Sequence, residues 1–154
     1  MREFGPTLIR TSAVVAPASG GGVDEMDFNF GNLEGARILA VEYGGSAMVP
    51  NATGYIEAGL NFNGSVVAPV TVNDIVIDEN IFAFVALDLI LATSGVGIQN
   101  QLVWTGLDKD LIIARNIALQ VFTVGTTSGF AARVYYRRVI FSEAEVGGII
   151  AFRR

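Results

Sequence analysis

Glu25-Met26-Asp27-Phe28-Asn29-Phe30 alternates strictly between charged or polar and large apolar residues. Successive side chains of a strand point to opposite faces, so this stretch predicts one dry face, made by Met26, Phe28 and Phe30, and one wet face. The same period recurs at 55–62, where Ile56, Ala58, Leu60 and Phe62 share one side and Glu57 and Asn61 the other. Further short apolar segments at 7–15, 37–43, 101–104, 111–114, 117–124 and 130–141 are separated by Gly, Asn, Pro and Ser clusters. Residues 16–22 and 125–129 read as glycine-rich loops, the second as a hairpin loop, and Asn63-Gly64 as a turn. That rhythm predicts an all-β chain.

Two segments are less direct. Pro69 interrupts 66–77, which predicts two short strands at an edge, because proline cannot donate to a ladder. Residues 81–92 are apolar on both parities, so as a strand they need cover on both faces. A helix from Asn80 is the rival there, and the aromatic and β-branched content favours a strand. After the last strand, Ser142-Glu143-Ala144-Glu145 has the form of a capping box, with Gly147-Gly148 limiting any helix to a turn or two.

The 154 residues suit one domain, expected as 1–154 with an arm at 1–6 and a tail at 142–154. Hydrophobic residues make up 51% and charged residues only 16%, which leaves little charge to coat a free surface. Either partners cover part of that surface, or the exterior is unusually neutral. Histidine and cysteine are both absent, which excludes disulfides, the common zinc and haem sites, and Ser-His-Asp or Cys-His catalysis. The start lacks the continuous apolar region of an export signal, and 81–92, interrupted by Asp88, is far short of the roughly 20 residues that span a bilayer. A soluble protein is expected.

Charge is polarised along the chain. Residues 20–110 hold twelve carboxylates against Arg37 and Lys109, a local charge of −10, whereas 130–154 hold five arginines against Glu143 and Glu145, a local +3. Opposite charge on one subunit favours head-to-tail association or a positive face turned toward something anionic.

Eight or nine short strands with glycine-rich loops predict an antiparallel β-sandwich, and a single jelly roll is the common architecture of that size. The ending Arg133-Val134-Tyr135-Tyr136-Arg137-Arg138-Val139-Ile140-Phe141 with its short tail, the strand rhythm and the bare polar loops resemble the small single jelly-roll coat proteins of icosahedral viruses. The resemblance spans the whole chain. It implies a capsid subunit, soluble before assembly and located in the virion, whose partners are copies of itself and in some shells a second capsid protein. The N-terminus holds only Arg2 and Arg10, unlike the arginine-rich arms that package nucleic acid, so direct genome binding is not expected. A shell over a membrane or a decoration layer suits this departure.

The expected assembly interface comprises Tyr135, Arg137, Arg138, Ile149, Ile150, Phe152, Arg153 and Arg154. Tyrosine and arginine are enriched at protein interfaces, and on a strand Tyr135 with Arg137 and Tyr136 with Arg138 form two separate pairs rather than one nucleic-acid platform. A lectin-like or receptor-binding sandwich with functional loops is the alternative.

No enzyme is expected. The best catalytic candidate is a glycosidase-like pair, Glu42 with Glu57, which requires the strands 37–43 and 55–62 to be neighbours. Calcium ligands are conceivable in Asp24, Glu25 and Asp27 or in Asp74, Asp78 and Glu79, but the spacing matches no EF-hand and neither metal nor cofactor is assigned. Nucleotide-binding glycine motifs are absent, and the sequons at Asn51 and Asn63 matter only in an exported protein.

Overall fold

The computed structural model describes residues 1–17, 19–47, 53–90, 96–105, 111–125 and 128–145. Nine strands follow in order: β1 (Arg2–Ala16), β2 (Gly20–Met26), β3 (Glu34–Ala47), β4 (Thr53–Asn61), β5 (Ile81–Ile90), β6 (Val96–Thr105), β7 (Leu111–Ile113), β8 (Ile117–Val124) and β9 (Ser128–Ile140). One sheet has the order β1-β9-β3-β6, with β7 also on β3, and the other β2-β8-β4-β5. All the pairings are antiparallel.

The pairs nest. First pairs with last, β2 with β8, β3 with β6 and β4 with β5, as in one long antiparallel ribbon rolled on itself. That nesting defines a single jelly roll, so the expected all-β antiparallel sandwich is the observed fold. Residues 81–90 form a strand and not a helix, and β8 keeps the bounds read from the sequence.

The core lies between the sheets. Phe130, Ala132, Val134 and Tyr136 of β9 face Met26, Phe28, Leu60, Leu119 and Val121 from the opposite layer and its margins. Phe28 meets Tyr136 edge-on at 5.0 Å and stacks on Phe30 at 5.3 Å, so the apolar parity of 26–30 is buried as expected at Met26 and Phe28.

Several expectations are corrected. Gly20, Gly21 and Gly22 are not loop residues: they pair with Thr123, Phe122 and Val121, and β2 ends at Met26 instead of continuing to Phe30. Arg2 to Phe4, placed in an arm, pair with Ile140 to Arg138. The 125–129 connection joins strands in different sheets and is no hairpin. Residues 66–77 hold turns, not two strands, because local side chains satisfy the backbone there: Asp74 accepts from the N–H of Val70 and Thr71, and Asn63 from Ser65. The capping box forms, with Glu145 Oε2 accepting from Ser142 N at 2.7 Å ahead of a single turn at 143–145.

Tyr43 is buried in the core against Phe130, and its hydroxyl has no hydrogen-bond partner among the described residues. Burial pushes its pKa up. An unpaired buried hydroxyl carries a desolvation cost, so Tyr43→Phe is expected to raise stability by about 1 kcal/mol. A lower denaturation midpoint in urea would contradict this.

Candidate assembly surfaces

The first surface is the outer face of the first sheet. Along β9 the odd residues Ala131, Arg133, Tyr135 and Arg137 point outward, flanked by Ile9, Thr11, Ala13 and Val15 of β1 and by Glu42 and Gly44 of β3. Ile9, mid-strand, is 54% exposed, and Val15, near the end of β1, is 71% exposed. Arg133 Nη1 lies 3.2 Å from Glu42 Oε1, and Arg137 Nη1 lies 3.6 Å from Glu3 Oε2, which also holds Arg37. Arg133 and Arg137 are half-exposed, and Arg137 Nε also donates to the Thr7 hydroxyl at 3.3 Å. A depression of about 80 Å³, lined by Thr11, Glu42, Gly44, Ala131, Ala132 and Arg133, is far smaller than the roughly 300–1,000 Å³ of small-molecule sites. The face offers area rather than a cleft.

The second surface covers the outside of the other sheet. The connection 62–80 lies across β4 and β8 and is pinned there by a buried polar set. Glu57, fully buried, accepts from Tyr55 Oη at 2.7 Å and from Asn73 N at 3.1 Å. Asn61 Nδ2 donates to Asp78 Oδ2 at 2.8 Å and to Gln120 Oε1 at 3.0 Å, while Gln120 Nε2 donates to the Val67 carbonyl at 2.9 Å. Ile75 plugs the same face. Outward, the connection shows Val67, Val70, Val72, Val76 and Ile77, with Val70 79% and Ile77 76% exposed. Exposed aliphatic side chains on a segment tied to the sheet by buried hydrogen bonds make this face a candidate interaction surface.

The residues expected to act are distributed differently. Tyr135 and Arg137 lie on the first surface, whereas Arg138 turns to the rim, donating to Glu34 Oε2 at 3.0 Å and to the Phe28 carbonyl at 3.2 Å. Ile149, Ile150, Phe152, Arg153 and Arg154 lie outside the described residues. Glu42 and Glu57 sit on β3 and β4, which belong to different sheets, so the neighbouring strands that a glycosidase-like pair requires do not exist. Glu57, on the polar parity of 55–62, is buried and anchors the connection. Asp24 accepts from Ser12, Glu25 from Asn116 and Asp27 from Asn29, and no group of three or more metal-ligating side chains gathers among the described residues. The aliphatic patch at 66–77 was missed. Its signal was β8, apolar on both parities, which demands cover outside the sandwich.

Two carboxylates brace the connection. Asp74 is held below its ordinary pKa by the Thr71 hydroxyl and then by the N–H of Val70 and Thr71. Burial pushes Asp78 up, but the N–H of Asn80 and the amides of Asn61 and Asn80 outweigh it and leave it lowered. Groups lowered on folding contribute stability above their unfolded pKa and lose it as pH falls through the folded value. The amide resonances of Val70, Thr71 and Asn80 are therefore expected to titrate with midpoints below the usual aspartate value of about 3.9. Midpoints at or above that value would show that the turns do not stabilise the charged form.

The fold class is thus a single jelly-roll sandwich with two broad, partly apolar outer faces. Similar solved structures include one from Desmodium yellow mottle tymovirus, at 5% identity over 90% of this chain and 91% of that chain, with a TM-score of 0.35. Another is a Nora virus structure, at 11% identity over 92% of this chain and 65% of that chain, with a TM-score of 0.33. No family model and no curated protein matches the sequence.

Proposed function

We propose that the chain is a structural subunit of a virus capsid, assembling with copies of itself into a symmetric shell or decoration layer of the virion. Jelly rolls serve capsids and lectins alike, so the fold alone does not decide. The observation that carries the reading is the 62–80 connection, rigidly pinned from below and aliphatic above. A surface of that kind suits permanent contact between subunits better than a reversible glycan contact, which needs polar groups converging in a concavity. The charged ladder on the opposite face supplies a second contact area with ionic character. A further capsid protein is an acceptable second partner.

Light scattering behind a sizing column tests this. Discrete oligomers or particles are expected, loosening as salt screens the ionic contacts over a Debye length of about 10 Å at 0.1 M. A monomer at every concentration and salt level would overturn it.

A further inference from the structure

We infer that the 62–80 connection of one copy docks on the outer face of the β1-β9-β3-β6 sheet of a second copy, a head-to-tail contact; this rests on the assembly reading above. Both faces expose aliphatic side chains: Val67, Val70 and Ile77 on the connection, Ile9 and Val15 on the sheet. Their charges are opposite. Residues 62–80 contain Asp74, Asp78 and Glu79 and no lysine or arginine. Among the described residues the sheet presents Arg37, Arg133 and Arg137 against Glu3 and Glu42, an excess of one positive charge. Joining two connections by a two-fold axis would bring six carboxylates together in one desolvated area, which like-charge repulsion opposes. Joining connection to sheet brings carboxylates to arginines. The adjacent outward residues Ala13, Ala131 and Gly44 are small, so no bulky side chain stands between β1, β9 and β3 there.

The two surfaces lie on opposite sides of the sandwich, so each copy offers one donor face and one acceptor face. A heterologous contact of this type generates rings where the rotation closes and filaments where it does not. The ring is the form a closed shell uses. Glu79 is the carboxylate to test, since it is exposed, whereas Asp74 and Asp78 hold turns.

The experiment measures the concentration of half-assembly by sedimentation for wild type, Glu79→Arg, Arg133→Glu and the double variant, with melting temperatures as the check on folding. Each single variant is expected to raise that concentration about tenfold or more, and the double variant to recover most of the loss. Wild-type-like assembly in the singles, or a double variant no better than the singles combined, overturns the assignment of these faces and leaves the capsid reading standing. A wild type that stays monomeric overturns both and makes a different protein the occupant of the aliphatic patch.

Discussion

Glu57→Ala is expected to lower stability by on the order of 3 kcal/mol and to free the 62–80 connection from the sheet. The carboxylate, itself fully buried, accepts from the Tyr55 hydroxyl at 2.7 Å and from Asn73 N at 3.1 and 3.3 Å. Truncation removes the acceptor that the Asn73 N–H and the Tyr55 hydroxyl share, and a buried donor that is not re-satisfied costs about 1–3 kcal/mol unless the connection lifts and lets water in. Either response is visible. Lifting would open the Phe62 N–H to Asn80 bond, at 3.0 Å, to hydrogen exchange, while a closed connection would show the whole cost as a lower denaturation midpoint. Glu57→Gln keeps an acceptor oxygen for both donors but buries an amide NH₂, so an intermediate loss is expected. Unfolding and exchange matching the wild type in Glu57→Ala would mean that the connection holds without its anchor.

The history of Glu57 shows where a sequence stops informing. Period-two alternation at 55–62 correctly separates Ile56, Ala58 and Leu60 from Glu57 and Asn61, and all three apolar residues are buried. Alternation identifies faces, however, and says nothing of what lies over them. The cover comes from 62–80, whose valines imitate strands while Asn63, Asp74 and Asp78 bend the backbone into turns. Strand order has the same weakness. Glu42 and Glu57 are on successive strands, yet the chain crosses between sheets after β3, and only the long-range pairing β3-β9 and β4-β8 reveals it.

Legibility was highest where local physics acts alone. The capping box at Ser142 and the bounds of β8 need only their own residues, and both are found as read. Parity alone separates Tyr135 and Arg137 from Tyr136 and Arg138, and the first pair lies on the outer face. Arg138 departs because it sits at the rim, where Glu34 and the end of the Phe28 segment come within reach. Ile9 and Val15, exposed on β1, were read only as strand residues, since exposure on an outer face is invisible until the sheets are assigned.

Gly21→Ala tests the same connection from the opposite side and is expected to cost about 3 kcal/mol or more. Gly21 lies in β2 opposite Phe122, and a methyl group there would stand 1.9 Å from the Pro69 carbonyl oxygen and 2.9 Å from its carbon. Backbone cannot swing away as a side chain does, so Pro69 must move, and its movement strains the Gln120 Nε2 bond to the Val67 carbonyl two residues earlier. Gln120 also accepts from Asn61, so the buried polar set loosens as a unit. Gly31→Ala is the control: the added methyl would lie 3.4 Å from the Glu34 carboxyl group, an ordinary contact, and reduced freedom of the unfolded chain makes the change neutral or slightly stabilising. If the connection is held as described, Gly21→Ala also mimics Glu57→Ala in exposing the Phe62 amide. A Gly21→Ala protein as stable as Gly31→Ala would mean that Pro69 does not rest on β2, and the rigid aliphatic plateau would lose its foundation.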